Sequence, residues 1–378
     1  MTVIIKSAPA DVVSLAVARS LGKQNIDFTV YSKKINSLAS YSKYCKYTSV
    51  SQTDLDFFLT LSSNDIVFPI DESIMLQVSK NKKKLGCSLA FSEYPTLETV
   101  INKSHLINHA IEHNIPCPKT IFFKRLEDTR VLSKKFEFPA VLKPNIGSGG
   151  KGIIFVNSLE EFQNIGYSFF EKYGSFILQE KIPFIHKYTV GVLCNTDSKV
   201  KRACIIKEIR NYPVDTGPAC YAETVNYPEI LNLSIRLMES LNYFGVADID
   251  FLVDSRSGKP ILMEINPRFW GSLQLGINAG VDFPSLLFEL MKNGDVEKRF
   301  DYVTGIRCRH IVFDDILRLL SILKGRYLLS YKVRSIIEFL KIHPSDGYYI
   351  FSLDDLKPFR HHLKKKILTF YESQEFSD

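Results

Sequence analysis

The chain has 378 residues, 45% of them apolar and 24% charged, which is enough to bury a large core in two or three lobes and excludes a disordered tail. No run reaches the ~18 apolar residues of a membrane span. Met1–Lys6 is too short, and too soon followed by Asp11, to be a secretory signal, so a cytoplasmic protein is expected. The net charge of +7 is concentrated between Arg307 and Lys366, where 13 Lys/Arg stand against 6 Asp/Glu; a basic stretch such as LKPFRHHLKKK reads as a solvated face rather than a nucleic-acid site. The seven cysteines are odd in number and contain no CxxC, which argues against a disulfide framework, and the pair Cys308 and His310 falls short of a four-ligand zinc site.

In chain order, Val3–Ile5 and Phe28–Tyr31 read as strands flanking a helix over Asp11–Leu21, a β-α-β start. Asp65–Pro69 is a further strand that delivers Ile70, Asp71 and Glu72 to its carboxyl end, where open α/β sheets place ligands. The periodicity predicts one helix over Leu97–His113, stopped by the prolines of Ile115–Pro118. Strands follow at Pro139–Leu142, Ile153–Val156, Phe176–Gln179, Tyr188–Cys194 and Ala203–Ile206, with a helix over Pro228–Leu241. Beyond Asp301 the pattern is helical, basic and aromatic, with no catalytic motif.

The stretch VLKPNIGSGGKGIIFV spells GxGxxG at Gly147, Gly149 and Gly152. A dinucleotide loop needs a helix to open at its last glycine, and here Ile153 to Val156 form a strand instead. The P-loop pattern fails too, because Gly150-Lys151 is followed by Gly152. What remains is a glycine-rich hairpin tip whose backbone amides can fold over phosphates.

A second hairpin is expected from Ala247–Val253 and Pro260–Asn266 around the turn DSRSGK. If it is symmetric about Ser257, Asp250 faces Glu264 and Asp248 faces Asn266, all on one face. Like charges opposed in this way destabilise a sheet unless a cation lies between them, and hard oxygen donors in such a cluster suit Mg²⁺. Pro267-Arg268 follows at once, with a guanidinium able to hold a carboxylate or acyl phosphate.

The segments KPNIGSGGKG, LQEKIP, GVADIDF and EINPRFWGS, in this order and at these separations, resemble the ATP-grasp superfamily. FPIDES, INKSHLINHA, EIRNYPVDTGPACYAETV and GVDFP resemble its carboxylate-amine ligase branch, related to the carbamoyl-phosphate synthase large chain and D-aspartate ligase. The resemblance covers roughly residues 1 to 300. It implies an α/β fold of α+β lobes: a Rossmann-like domain over 1–95, then an ATP-grasp domain over 96–300 with a small lobe at about 115–182 and a large lobe at about 183–300. A basic helical region over 301–378 completes the expected division.

The same resemblance implies roles. Lys103 and Lys143 would contact the α- and β-phosphates of ATP, and the loop Gly147, Ser148, Gly149, Gly150, Lys151, Gly152 would close over the β- and γ-phosphates. Gln179, Glu180, Lys181 and Ile182 would form the hinge that reads adenine. Asp250, Glu264 and Asn266 would hold one or two Mg²⁺ ions, with Mn²⁺ as a substitute. Arg268 would steady an acyl phosphate, Arg210 would face the reacting carboxylate, and Asp71 or Glu72 would hold the incoming ammonium. The sequence departs from the pattern at Lys187, where an acidic residue for the ribose is expected; His186 reads as a surface histidine, with a ribose contact as the alternative. The expected reaction joins a small carboxylate to an amine with release of ADP and phosphate, without nucleic acid and with a homodimer expected over the helical region. A phosphotransferase acting on a hydroxyl and an ATP-binding scaffold are the alternatives.

Overall fold

A computed structural model describes residues 1–7, 11–33, 37–51, 53–130, 136–147, 151–214, 217–310 and 314–375. The first sheet comprises β1 (Thr2–Lys6), β2 (Phe28–Ser32), β3 (Tyr47–Val50), β4 (Asp65–Val67) and β5 (Ser88–Leu89) in the order β3-β2-β1-β4-β5. All four pairings are parallel. The strand order reverses between β1 and β4, so this Rossmann-like sheet opens its crevice at their carboxyl ends. Asp71 follows β4 there and caps the helix Glu72–Lys80, its side chain accepting from the amides of Ser73 and Ile74.

The helical pattern predicted over Leu97–His113 is two helices, Tyr94–Ile101 and Lys103–Glu112. Asn102 breaks it: the residue is extended at ψ 109° and its side chain accepts from the amides of Ser104 and His105. A side chain that satisfies the orphan donors of a new helix start outweighs continuation of the old one. The break places Lys103 in the first turn of the second helix.

A four-stranded antiparallel sheet follows: β6 (Thr120–Phe123), β7 (Ala140–Pro144), β8 (Ile154–Val156) and β9 (Phe176–Glu180), ordered β6-β9-β7-β8. β7 and β8 are the two arms of the glycine-rich hairpin. Phe123, Phe162 and Phe176 are fully buried beneath this sheet, and apolar burial of this kind stabilises by about 2 kcal/mol per side chain.

The third sheet has seven strands: β10 (Phe184–Cys194), β11 (Val200–Asn211), β12 (Ala219–Thr224), β13 (Gly245–Asp254), β14 (Pro260–Asn266), β15 (Arg307–Arg309) and β16 (Asp346–Tyr348), ordered β14-β13-β10-β11-β12-β15-β16. Gly191 on β10 is obligatory, since a Cβ there would stand 2.0 Å from the buried Trp270 ring. The region past Asp301 is not purely helical: β15 pairs with β12 and β16 with β15. Between and beyond them lie the helices Ile316–Lys324, Leu329–Leu340 and Leu356–Glu375. No helix is long and apolar enough to cross a membrane among the described residues.

Candidate active site

β13 and β14 bring the oxygen donors together. Asp248 pairs with Asn266 and Asp250 with Glu264, the register that symmetry about Ser257 predicts. The symmetry then ends: a bulge after Asp250 pairs Phe251 with Leu262. It takes up Met263, so that Leu262 is fully buried while Glu264 keeps its place opposite Asp250.

Asp248 and Asp250 are both buried, whereas the Glu264 side chain is 39% exposed at the edge of the group. Burial holds the Asp250 carboxyl up at about 6, with the Lys187 ammonium pulling down and the Glu264 and Glu208 carboxylates pushing up. Burial and Asp250 raise Asp248 well above the carboxylate range, and its Oδ1 is buried without a hydrogen-bond partner. Asn266 links the row, donating to Asp248 at 3.4 Å and accepting from Arg268 at 3.3 Å.

Two lysines face this group from the other side. Lys103 stands 3.8 Å from Glu264 and donates to the Gly147 carbonyl at 2.8 Å. Lys143, on β7, is buried, and its ammonium is lowered to about 8 by desolvation, with Glu264 opposing and Lys103 adding to the fall. The hairpin tip is tied to the same place: Asn145 accepts from the Lys103 amide at 2.9 Å through its carbonyl and from Ser104 at 2.5 Å through its side chain. Lys151 and Gly152 turn the chain into β8; Gly152 has φ +77°, a conformation favouring glycine, and a Cβ there would meet Pro144 and Tyr173 at 3.1 Å. The expected ligands Ser148, Gly149 and Gly150 lie outside the described residues.

Residues 100–272 match the family model of the ATP-grasp domain. Over that segment the chain is similar to ATP-grasp domains. Among curated proteins, the putative urea carboxylase of Emericella nidulans is 29% identical over 180 residues, covering 43% of this chain and 14% of that protein. The carbamoyl phosphate synthase large chain of a Thermoanaerobacter species is 23% identical over 243 residues, 61% of this chain and 22% of the relative. The chain thus spans less than a quarter of the length of these curated relatives. Among solved structures, the biotin carboxylase domain dimer of the Hydrogenobacter thermophilus 2-oxoglutarate carboxylase, in complex with MgADP, ADP and bicarbonate, superposes with a TM-score of 0.65 at 14% identity. That superposition covers 81% of this chain and 73% of the other, a likeness of fold.

Within the matched segment, the donor set fits a hard divalent cation. Two carboxylates oppose each other across a strand pair, an amide oxygen lies next to them, and one buried carboxylate oxygen has no hydrogen-bond partner. The group is small, and no cluster of three or more His, Cys, Asp or Glu suited to a metal is found among the described residues. Part of the charge is met internally: Lys187 bonds Glu208 at 3.0 Å and stands 3.7 Å from Asp250. Thr189, two residues on along the same face of β10, donates to Asp250 at 2.8 Å. Lys187 therefore faces the carboxylate row, which the sequence position alone does not indicate. Its partner Glu208 is assigned no role by the sequence motifs; the signal for it is alternation along β11, which puts Ile206 and Glu208 on one face beside β10.

Arg268 reaches Glu72 of the first lobe at 2.9 Å and donates to the carbonyl of its neighbour Phe269 at 3.1 Å. Asp71, the other expected ammonium holder, serves as a helix cap and bonds Lys6 at 3.3 Å. At the hinge, Gln179 is buried, bonding Thr120 at 3.1 Å, with its Oε1 lacking a partner. The amides of Glu180 and Lys181 donate to the carbonyls of Lys119 and Pro139, Ile182 is buried, and the Lys181 ammonium lies 5.1 Å from the centre of the Phe155 ring. The Glu180 carboxylate is taken by Arg256 of the β13–β14 turn at 2.7 Å, a contact between residues far apart in sequence. His186 packs edge-on against Tyr188.

Arg210 is held by a carboxylate of the protein itself. The carboxylate it faces belongs to Asp315, gripped at 2.8 and 2.6 Å, and its remaining nitrogen donates to the Glu338 carbonyl at 3.3 Å. Arg309 binds the same Asp315 at 2.6 Å. The pair is almost fully buried, with side chains 5% and 1% exposed. Two guanidiniums share one carboxylate that a sequence reading cannot bring to them, because Asp315 lies more than a hundred residues downstream of Arg210.

Proposed function

We propose that the chain is an ATP-dependent carboxylate-amine ligase. It moves the γ-phosphoryl group of ATP onto a small carboxylate, and an amine then displaces phosphate from the acyl phosphate, forming a C–N bond with release of ADP and phosphate. The observation that carries this reading is the Asp250–Glu264 pair, with Lys103 beside Glu264 and the buried Lys143 ammonium sensing the same carboxylate. Anionic groups for a cation and ammonium groups for phosphate meet at one edge of the large sheet, as phosphoryl transfer by positioning and charge requires.

In this reading Lys103 and Lys143 hold the α- and β-phosphates, and the hairpin tip from Gly147 to Gly152 covers the β- and γ-phosphates. Gln179 to Ile182 frame the adenine. Asp250, Glu264 and Asn266 would hold Mg²⁺, with Mn²⁺ as a possible replacement; the ion would neutralise the phosphate oxygens as charge builds on them. Arg268 orients the acyl phosphate by exchanging its bond to Glu72 for one to substrate, and Glu72, thus freed, holds the incoming ammonium, which loses its proton to solvent before the free amine attacks. The fold neighbour bound to MgADP and bicarbonate supports nucleotide, magnesium and a carboxylate-type substrate in this reading.

The test is an ADP-release screen over carboxylates paired with amines, with and without Mg²⁺, followed by hydroxylamine trapping of active pairs. Hydroxamate formation is expected, since hydroxylamine intercepts an acyl phosphate. ADP release without hydroxamate would point instead to phosphoryl transfer onto a hydroxyl, and nucleotide binding without any ADP release to a scaffold.

A further inference from the structure

The helices Ile316–Lys324 and Leu329–Leu340 form an antiparallel pair, tied where Lys332 donates to the Leu323 carbonyl at 2.7 Å. The second of them is turned inside out. At 3.6 residues per turn, Leu329, Val333, Ile336, Ile337 and Leu340 share one face, and that face is exposed: Leu329 is 76% accessible and Leu340 68%. The inward face holds the buried Ser335 and the Phe339 ring under Arg309. A helix of a water-soluble lobe normally turns its apolar stripe to the core. Here Leu328 and Ile342, 79% and 77% exposed, extend the stripe at both ends.

The charges around the stripe are of one sign. Residues 316–342 contain six Lys/Arg and one acid, Glu338, which is already bonded to Arg334 at 2.7 Å. On the helical wheel Arg334 and Lys341 border the stripe on one side and Lys332 on the other, while Lys324 and Arg326 sit exposed at the joint. Tyr327 and Tyr331, tilted against each other with ring centres 5.3 Å apart, add half-exposed aromatic rings at the same end. A second copy meeting this face about a two-fold axis would oppose its cations to their own kind. An anionic lipid surface is complementary to it: apolar side chains enter the acyl boundary and flanking Lys and Arg reach the headgroups.

We propose that the helix pair 316–342 is an interfacial docking surface for anionic membranes, with Leu329–Leu340 lying in the plane of the lipid. A 12-residue helix is about 18 Å long, too short to span a bilayer, so the contact is peripheral and reversible. The surface lies outside the nucleotide site, and the proposal is independent of the ligase reading.

The test is co-sedimentation of the full chain with vesicles of phosphatidylcholine alone and of phosphatidylcholine mixed with phosphatidylglycerol. Binding to the mixed vesicles is expected, with little to the neutral ones and release by high salt. The double variant L329E/I337E should abolish it. The charge variant R334E/K341E, which leaves the apolar stripe intact, should reduce partitioning roughly tenfold or more. Both substitutions are on exposed positions, and unchanged ATP affinity certifies the fold. No binding by the wild-type chain to the mixed vesicles overturns the proposal. So does sedimentation of the vesicle-free chain as a dimer that L329E/I337E dissociates, which would assign the face to a second copy. Equal binding to neutral vesicles would overturn its electrostatic half.

Discussion

Asp250 and Glu264 stand directly opposite each other on β13 and β14, and the bulge that follows Asp250 keeps them there while returning Leu262 to the core. The pair is a repulsion that a bound cation would relieve. Its consequences for stability and for binding can be measured separately.

Asp250→Asn should stabilise the ligand-free protein. Burial pushes the folded Asp250 carboxyl up to about 6 from an ordinary 3.8, so the folded state holds its proton more tightly than the unfolded chain. Stability from this group is intact below pH 4, falls as pH rises toward 6, and stays reduced at pH 7. Removing the charge should recover on the order of 2 kcal/mol at pH 7, read by urea denaturation, and the midpoint should no longer rise on addition of Mg²⁺. A variant less stable than wild type, still responding to Mg²⁺, would contradict this.

Lys143→Met should weaken ATP binding and flatten its pH dependence. Burial depresses the ammonium to about 8, so its charge fades as pH rises through 8 in the free protein and wild-type affinity should weaken between pH 7 and 9. The stability effect runs the other way: the unfolded lysine binds a proton up to its ordinary 10.5, so stability lost below pH 8 is regained as pH rises from 8 toward 10.5. Isothermal titration with ATP at several pH values checks the first, denaturation the second. A wild-type affinity independent of pH would reassign Lys143.

Glu264→Ala should lower turnover by about 100-fold or more, by analogy with loss of one charge-stabilising donor in a closed site. Because Glu264 is half-exposed, relief of its repulsion with Asp250 should raise stability less than Asp250→Asn does. The readout is ADP release with the pair of substrates found by the screen, and near-wild-type turnover would remove Glu264 from the cation site.

Arg210→Met should be a stability variant. Leaving Asp315 buried with one guanidinium instead of two should cost roughly 3 kcal/mol, while ATP affinity of the folded protein stays at the wild-type value. A stable protein that binds ATP normally but has lost turnover would restore Arg210 to the substrate.

The fold was legible where a local pattern carried it. Alternation in ADIDFLV and ILMEIN around a polar turn announced the β13–β14 hairpin and its acidic face, because strand periodicity and turn chemistry act over a few residues. The break at Asn102 was hidden inside one continuous helical pattern, since Asn can sit in a helix or cap one and only the neighbouring Asn145 carbonyl shows what the break serves. The three-residue strands β15 and β16 are too short for any period and exist through pairing with β12 and with each other.

The sequence by itself determined the kinds of chemistry available: lysines among glycines, carboxylates at alternate strand positions, and the register that opposes Asp250 to Glu264, all set by contacts close along the chain. Only the tertiary structure decided which charges meet. It placed Lys187 between Glu208 and Asp250, gave Arg210 to Asp315 and Glu180 to Arg256, and turned the apolar stripe of Leu329–Leu340 outward. The reason is physical: hydrogen-bond periodicity is a property of neighbours, whereas the strength of an ion pair depends on burial and on partners supplied by distant strands and helices.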